Sequence, residues 1–174
     1  PNMRPEFINS FEVGYVKNIM PKFSFTSNLY YKYSVDAMTR FVTTDSNGRS
    51  VVQVQNLGNN INSGWEAIVN YSPWKFFNTM ISSNLSINEL SYTTPTRKYT
   101  NGNWVWSGRI NATFKLPKEF DFQLVGFYRS PSKTPQGTFQ FQSSVDLTLR
   151  KKIMMQRGLI TVSVSDIFNT LRFN

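Results

Sequence analysis

Apolar and polar residues alternate regularly along residues 103–116, whose sequence is NWVWSGRINATFKL. Every second residue from Trp104 to Leu116 is apolar or small, and the residues between them are polar after Val105. A repeat of two is the pattern of a β-strand whose two faces meet different surroundings. Ordinary strands contain about five or six residues. This segment therefore predicts an unusually long strand with one apolar face and one polar face.

The same alternation recurs along the chain and predicts an all-β fold of about eight long strands. The predicted strands cover residues 7–16, 23–35, 64–71, 76–88, 103–116, 120–129, 139–150 and 159–168. In the last of them, Ile160, Val162 and Val164 form the more apolar set. No segment shows a comparable repeat of 3.6 residues, so we expect almost no helix.

The connections between these strands are alternately short and long, which predicts an antiparallel up-and-down meander. The short connections cover residues 17–22, 72–75, 117–119 and 151–158. The long ones cover roughly residues 36–62, 89–102 and 130–137, and they are rich in the Gly, Asn, Ser, Thr and Pro residues that favour loops. Residues 50–56 are a candidate strand extension inside the first long connection. Short turns are thus predicted at one end of the sheet and long loops at the other.

The length of the strands and the chemistry of their faces predict part of a transmembrane β-barrel. A tilted strand needs about nine to eleven residues to cross the hydrocarbon layer of an outer membrane. The polar faces carry mostly Ser, Thr, Asn and Gln, which suits a barrel lumen, whereas a soluble sheet usually exposes more Lys and Glu. Aromatic residues concentrate near both ends of the apolar faces, as in the girdles of membrane barrels. We therefore expect localisation in the outer membrane of a Gram-negative bacterium.

The composition excludes several classes of function. The chain has 174 residues, which suits one domain, with 19 basic and 10 acidic residues and with neither Cys nor His. Without those two residue types, a disulfide, the usual zinc, haem and iron–sulfur sites and a Ser–His–Asp or Cys–His catalytic unit cannot form. We expect no catalytic site, no metal site and no cofactor. The longest apolar run is three residues, as at 153–155, far short of the roughly twenty in a membrane-spanning helix.

Three other classes of protein compete with the membrane barrel. A soluble lipocalin-like binding barrel also has alternating strands, but such chains usually carry cysteines and a helix. A nucleic-acid binder would interleave basic and aromatic residues on one face. An enzyme could use paired carboxylates, but the spacing pairs none of the four on the polar faces. Nine of the 19 basic residues instead lie in or beside the short turns: Lys17, Lys22, Lys75, Lys115, Lys118, Arg150, Lys151, Lys152 and Arg157. We expect neither an enzyme nor a nucleic-acid partner.

Two sets of residues are candidates for functional positions. The first consists of side chains that the alternation places on the polar, lumen-facing side: Glu12, Lys32, Glu66, Arg109, Asn111, Asp121 and Asp146. The second consists of aromatic and Asn residues in and beside the second long connection that could contact a glycan or a siderophore: Tyr99, Asn101, Asn103 and Trp104. The alternative interpretation of the second set is packing within the loop or at the membrane interface.

Three segments of the chain resemble the barrels of TonB-dependent outer-membrane receptors. The opening PNMRPEFINSFEVGY resembles a segment late in those barrels that reads Asn-Pro-x-Leu-x-Pro-Glu, followed by a strand with Glu-x-Gly-Tyr. The matching residues are Pro1, Asn2, Met3 in place of Leu, Pro5, Glu6, Glu12, Gly14 and Tyr15. DIFNT at 166–170 resembles an Asp-hydrophobic-Phe-Asn element near the barrel end, and NLGNNINSGWE at 56–66 resembles a stretch that leads into a downward strand. The three segments lie near the start, in the middle and near the end of the sequence, so the resemblance covers the whole chain.

This resemblance implies a barrel of about 22 strands with an N-terminal plug, which imports a bound nutrient with energy from TonB. Residues 1–174 would then be eight strands of its C-terminal part, a fragment without the plug, the TonB box and the final strand. The implied partners are outer-membrane lipid, the plug domain of the same full-length protein, TonB indirectly and an unknown nutrient ligand. The alternative function is a structural or adhesive outer-membrane barrel without transport.

The strand count and the alternation also predict the edges and the faces of the sheet. With eight alternating strands, both free ends lie at the long-loop end, so we expect further strands before Pro1 and after Asn174. Such a piece should either close as a small eight-stranded barrel or leave two bare edges that pair with missing strands or with a neighbour. We expect the open, twisted sheet, because polar side chains such as Asn111, Gln123 and Gln140 would crowd so narrow a lumen. One set of side chains should point to the polar face and a second set away from it: Asn84, Asn111, Gln123 and Gln142, against Leu85, Ile110, Leu124 and Phe141.

Overall fold

The computed structural model describes residues 3–20, 22–56, 58–93, 98–134, 137–154 and 157–171, with all side chains in these ranges except those at positions 20, 41, 43, 93, 98, 99, 101 and 134. The described residues form twelve strands: β1 Phe7–Met20, β2 Phe23–Val35, β3 Met38–Thr44, β4 Ser50–Asn56, β5 Asn59–Trp74, β6 Phe77–Thr93, β7 Lys98–Leu116, β8 Phe120–Arg129, β9 Ser132–Thr134, β10 Gly137–Phe139, β11 Gln142–Ile153 and β12 Gly158–Val164. A short 3₁₀ turn at Pro117–Glu119 joins β7 to β8. Within the described ranges, no helix is long and apolar enough to cross a membrane.

Eight of the strands form one sheet in the order β1-β2-β5-β6-β7-β8-β11-β12. Every neighbouring pair in this sheet is antiparallel. Because the spatial order follows the chain order, each strand pairs with the next long strand along the sequence. The predicted all-β, up-and-down antiparallel meander of eight long strands is confirmed.

The register of the strands separates an apolar face from a polar face across the whole sheet. Val13 lies opposite Leu29, which lies opposite Trp65, and this row continues through Leu85 to Trp106. The row one residue away is polar from β2 onward: Asn28, Glu66, Asn84, Ser107, Arg129 and Gln142. Since successive side chains of a strand point to opposite faces, the alternation seen in the sequence becomes two continuous surfaces. The predicted separation of faces is confirmed for every named position that lies on a strand.

The apolar face does not cover a core. Among the described residues, the buried hydrophobic side chains are only three alanines, Ala37, Ala67 and Ala112. Phe11 and Trp104 are 68% and 62% exposed, and most other large apolar side chains of this face are also exposed. A soluble monomer rarely exposes an apolar patch larger than a few hundred Å². The face is therefore built to meet an apolar surrounding.

The first long connection contains a hairpin of its own, formed by β3 and β4. Residues 50–56 therefore do not extend a strand of the main sheet, because they pair with residues 38–44 instead. Asp36 adopts a left-handed backbone with φ of 54°, which turns the chain out of β2. The Asn56 side chain donates to the carbonyl oxygens of Asp36 at 2.7 Å and Arg4 at 2.9 Å, and these bonds fix the base of the hairpin.

Two predicted strands end or begin elsewhere than the alternation indicated. The predicted strand at 139–150 is divided, because Phe139 pairs with Ser132 in a hairpin of β9 and β10, and β11 begins only at Gln142. Phe141 consequently lies outside the strands. The predicted strand at 159–168 ends at Val164, because the carboxylate of Asp166 accepts hydrogen bonds from the following backbone and forms a turn there.

The second long connection is mostly strand. The sequence predicted a loop over roughly 89–102, but β6 continues to Thr93 and β7 begins at Lys98. The strand pairing continues with Glu89 opposite Gly102 and Tyr92 opposite Tyr99. Residue types that favour loops are thus found in paired strands here. The hydrogen bonds between β6 and β7 override their local conformational preference. The two strands extend beyond their neighbours at the long-loop end.

The described sheet is open. Within the described residues, β1 pairs only with β2 and β12 only with β11, so both outer strands present an unpaired edge. Unpaired N–H and C=O groups on such an edge are a template for another strand. This arrangement agrees with the open sheet that we expect from the sequence.

Candidate functional site

The polar face is held together by hydrogen bonds between side chains of neighbouring strands. The Gln123 side-chain amide donates to the Asn111 oxygen at 2.9 Å, and Arg150 donates to the Gln123 oxygen at 3.1 Å. In the same way, the Asn84 amide donates to the Glu66 carboxylate at 2.7 Å. The bonds of Arg150 and Glu66 are charge-assisted, and all three bonds satisfy polar groups of this face. The centre of this face is therefore a bonded polar wall.

The seven side chains that the sequence predicted on the polar face do share that face. Glu12 and Lys32 form an ion pair at 3.3 Å between β1 and β2. Asp121 lies opposite Lys115 and Arg150 in the ladder. The register gives the same face to the remaining members: Glu66, Arg109, Asn111 and Asp146. They are spread over several rows of the sheet, so they do not form one catalytic cluster.

A cavity of about 480 Å³ lies at the long-loop end of the polar face. We call it the mouth cavity. Strands β5, β6 and β7 supply one side of its lining, and the β3–β4 and β9–β10 hairpins supply the other. Its volume falls within the range of about 300–1,000 Å³ that is typical of small-molecule sites. The two hairpins therefore lie over the polar face and enclose space against it.

Specific hydrogen bonds hold both hairpins in this position. The backbone N–H of Lys133 donates to the side-chain oxygen of Asn103 at 3.2 Å. Ser130 and Trp106 exchange two bonds, from Ser130 N–H to the Trp106 carbonyl at 2.8 Å and from Trp106 N–H to the Ser130 hydroxyl at 2.9 Å. On the opposite side, the Met38 N–H donates to the Glu6 carboxylate at 3.3 Å. Both hairpins are thus held by hydrogen bonds, one to β7 and the other to Glu6 just before β1.

Amide side chains line the wall of the mouth cavity. Asn62, Asn88 and Asn103 lie opposite one another on β5, β6 and β7, and Asn60 lies two residues along from Asn62. The side-chain oxygens of Asn60 and Asn62 are buried and make no hydrogen bond within the described part of the chain. These two oxygens can therefore accept hydrogen bonds from a donor that enters the cavity.

Basic side chains dominate the charge of the mouth cavity. Arg40 comes from β3, Arg129 from the end of β8 and Lys133 from β9, whereas Glu6 is the one carboxylate among the lining residues that the structure describes. The Glu6 carboxylate already accepts the bond from Met38. Phe139 adds an aromatic ring from β10. The cavity therefore offers amide and cationic groups to a polar or anionic ligand.

The four candidate ligand contacts are described only in part. Asn103 lines the mouth cavity. Trp104 lies on the apolar face opposite Ile87, because consecutive residues of β7 point to opposite faces. Tyr99 and Asn101 belong to β7 rather than to a loop, and their side chains lie outside the described ones. Of this set, only Asn103 is therefore described at the cavity.

Sequence reasoning missed most of the cavity. Asn60 and Asn62 lie in NLGNNINSG, which was interpreted as loop because of its Asn and Gly residues. The signal that could have indicated them is the alternation itself, since Asn60 and Asn62 fall in the same alternating set as Glu66 and therefore on the polar face. No local pattern could have indicated that Arg40 and Lys133 reach the same cavity, because hairpin docking brings them there.

The apolar face carries aromatic contacts at both ends. Near the short turns, the ring of Phe114 lies 4.8 Å from that of Phe77 and 6.2 Å from that of Phe122. Towards the long loops, the rings of Trp106 and Tyr128 are 5.1 Å apart. Two aromatic belts separated by aliphatic residues are typical of membrane-spanning barrels, in which they lie at the two interfaces.

Two tryptophans of the apolar face have their polar group satisfied within the sheet. The indole N–H of Trp65 donates to the Ser27 hydroxyl at 2.8 Å, and that of Trp106 donates to the Ser83 hydroxyl at 2.9 Å. An N–H group without a hydrogen-bond partner in hydrocarbon raises the free energy by on the order of several kcal/mol. The serines on the apolar face therefore make these tryptophans compatible with an apolar surrounding.

The turn after β12 is organised by one carboxylate. Asp166 accepts hydrogen bonds from the backbone N–H groups of Leu171 at 2.8 Å and Thr170 at 2.9 Å. These two bonds, with that of Leu171 the larger influence, hold the pKa of the Asp166 carboxyl below its ordinary value. The backbone N–H of Asp166 in turn donates to Asp146 on β11 at 2.8 Å.

The described residues provide no cluster of carboxylates for a metal ion. Among the residues that the structure describes, no group of three or more Asp and Glu side chains is arranged to hold a metal ion.

The sequence matches the family model of the Outer membrane protein beta-barrel family over residues 1–174, the whole chain. Comparison with curated proteins and with solved structures found no match.

Proposed function

This chain belongs to the outer membrane protein beta-barrel family, and on that premise we propose that it forms part of the wall of a TonB-dependent receptor that imports a nutrient. Membership supports an outer-membrane location, and we infer that the exposed apolar face contacts lipid there. Import itself is our proposal. It is supported by the resemblance of the opening segment and of DIFNT to the barrels of such receptors, and by the mouth cavity.

The mouth cavity is the single observation that carries the proposal. In outer-membrane barrels the longer loops face the outside of the cell and the short turns face the periplasm. The cavity lies at the long-loop end, on the face opposite the aromatic belts, so it would open towards ligands arriving from outside. The unbonded acceptors of Asn60 and Asn62 supply a reason for a polar ligand to bind there.

The same wall supports a second candidate function, a structural or adhesive barrel without transport. The bonds among Asn111, Gln123 and Arg150 satisfy the centre of the polar face without any ligand. A purely structural wall would need such bonds but would not need a cavity lined by amide and cationic side chains. A soluble lipocalin-like barrel is disfavoured, because Phe11 and Ile110 would then be in its interior, whereas both are exposed here.

A receptor of this kind would interact with two further proteins or domains. We infer that a plug domain of the same full-length protein contacts the polar face and that TonB acts on the barrel through this plug. We also infer that the protein is not an enzyme, since the polar-face carboxylates engage Lys32, Asn84 and backbone groups instead of pairing with one another. The ligand would be recognised by amides and cations rather than transformed.

Binding to TonB distinguishes import from a structural role. The full-length protein, purified in detergent, is titrated with the purified periplasmic domain of TonB, and a plugless outer-membrane barrel serves as the control. Saturable binding to the full-length protein alone supports the receptor. Uptake of a labelled ferric siderophore, of cobalamin and of a maltodextrin is then compared in cells with and without TonB. Absence of TonB binding would favour the structural barrel.

A further inference from the structure

Three parts of the chain meet at the short-turn end of the sheet and enclose a small pocket. The backbone N–H of Ser72 donates to the Lys22 carbonyl at 2.8 Å, which joins the β5 end to the turn between β1 and β2. The backbone N–H of Lys115 donates to the Phe76 carbonyl at 2.7 Å, which joins β7 to the turn between β5 and β6. The enclosed volume is about 200 Å³. We call this space the rim pocket.

The rim pocket is cationic. Lys22, Lys75 and Lys115 line it, and the described lining includes no carboxylate. The ammonium group of Lys22 donates to the Pro73 carbonyl at 3.1 Å, which holds its side chain across the pocket edge. The surrounding end of the sheet has the same character, since nine of the 19 basic residues but only two of the 10 acidic ones, Glu119 and Asp121, lie there.

The rim pocket also adjoins the apolar face. The rings of Trp74 and Phe76 stack at 5.5 Å with an interplanar angle of 2°, and they are 58% and 53% exposed. An irregularity between Tyr71 and Trp74 shifts the register, so that Trp74 lies opposite Phe77, a residue of the short-turn aromatic belt. Exposed aromatic rings beside a belt of this kind mark the level of the lipid headgroups.

We propose that the rim pocket binds the phosphate of an anionic phospholipid in the periplasmic leaflet. Lys22 and Lys75, which lie in the turns at this end of the sheet, supply the positive charge that a headgroup phosphate requires, whereas Lys115 lies on the polar face of β7. The Trp74–Phe76 pair supplies a surface for the first part of the acyl chains. The volume is below the range of about 300–1,000 Å³ that holds a whole small-molecule ligand, which suits a headgroup whose tails remain in the bilayer. The lipid would bind whether or not the barrel transports a nutrient.

A neighbouring turn shows the same arrangement independently. Lys151 lies on the apolar face opposite Phe120, and its ammonium group lies 4.1 Å from the centre of that ring. The same ammonium donates to the Lys118 carbonyl in the turn after β7. A lysine that bends from the lipid face towards the water in this way is placed at headgroup level. The level assigned to the rim pocket therefore applies along this end of the sheet.

The experiment measures lipid retention by the full-length protein. The protein is reconstituted with equal amounts of phosphatidylglycerol and phosphatidylethanolamine, and the retained lipids are counted by native mass spectrometry. We expect at least threefold preference for phosphatidylglycerol, and loss of most of that preference in the double variant Lys22→Gln/Lys75→Gln. The matched control, Arg4→Gln/Arg49→Gln, removes two charges near the long loops and should retain the preference.

Three results would overturn the proposal. Equal retention of the two lipids would mean that the pocket does not select an anionic headgroup. Equal loss of preference in both double variants would assign the effect to net charge rather than to the rim pocket. Displacement of the bound lipid by inorganic phosphate, with equal protection against unfolding by phosphate alone, would make the pocket a site for free phosphate. Failure of TonB binding would leave the lipid result unaffected, so the two proposals fail separately.

Discussion

Asn62 and Asn88 lie directly opposite each other on β5 and β6 at the mouth cavity, and the side-chain oxygen of Asn62 makes no hydrogen bond within the described part of the chain. Residues that maintain a fold normally have their polar groups satisfied. We therefore expect that Asn62 is available to a ligand and contributes little to the stability of the wall. Stability measurements can test this expectation.

The first prediction compares two amides of the polar face. Asn62→Leu should leave the free energy of unfolding unchanged or raise it by up to about 1 kcal/mol, because it removes an unbonded buried acceptor. Gln123→Leu should lower it by about 1–3 kcal/mol, because the partners Asn111 and Arg150 would lose their bonds. Urea unfolding of the full-length protein in lipid vesicles measures both. Equal losses would mean that Asn62 has a structural role.

The second prediction concerns the lipid face. Ile110→Arg should lower the free energy of unfolding in a bilayer by about 2–4 kcal/mol, as expected for a charge near the midplane of the hydrocarbon. Ile110 lies opposite Ile81 and Gly126, well inside the apolar face. Val145→Arg, on β11 opposite Gly126, should behave in the same way.

The control for the lipid face is a polar-face residue of the same strand. Thr113→Arg introduces the same charge three positions along β7, opposite Asn78 and Gln123, where the side chain points to the polar face. Its effect on the free energy of unfolding should be much smaller. If both changes destabilise the protein equally, then the face assigned to lipid is not the one in contact with it.

The third prediction concerns a close approach at Gly64. A Cβ atom there would lie 2.6 Å from the Tyr30 hydroxyl oxygen and 2.7 Å from the Leu85 carbonyl oxygen, and the backbone carbonyl has little room to move. Gly64→Ala should therefore destabilise the protein by about 1–3 kcal/mol through overpacking. Gly108→Ala, whose nearest neighbour would be a Trp106 side-chain atom at 3.4 Å, should be far milder. A reversed order in thermal unfolding would contradict this account.

The fourth prediction concerns the pH dependence of the turn after β12. The pKa of Asp166 is lowered from an ordinary value of 3.8, so its bonds stabilise the turn above that pH and are lost as the pH falls through the lowered pKa. The protection factor of the Leu171 amide, which compares its exchange rate with that of an unstructured chain at the same pH, should then fall in acid. Asp166→Ala should show the low protection factor already at neutral pH, whereas Asp45→Ala in the distant hairpin should not. Protection that does not depend on Asp166 would exclude this role.

The strands and their faces could be predicted because both depend on a local signal. Alternation at Trp104, Trp106 and Ile110 is enough to assign the apolar face, and the pairing of β6 with β7 confirms it. The phase of the last strand was also correct, since Val162 and Val164 lie opposite Leu149 and Leu147. These residues needed no information from elsewhere in the chain.

The hairpins and the mouth cavity depend on distant partners and were not predicted. Phe139 continues the alternation of the following strand, yet it pairs backwards with Ser132, because β9 offers a nearer partner. Arg40 and Lys133 are separated by about half of the chain and meet at one cavity only after both hairpins dock. Composition also misled, since the Asn-rich residues 59–62 resemble a loop but form the start of β5.

The tryptophans of the apolar face give the protein its own optical markers of depth. Trp74 marks the end with the short turns, whereas Trp65 and Trp106, bonded to Ser27 and Ser83, lie towards the opposite end. Lipids that carry a bromine quencher at a chosen position along the acyl chain would dim each emission according to its distance from that position. Proteins that retain Trp74 alone or Trp65 alone would then report which end of the sheet enters the bilayer first during insertion, without an attached dye.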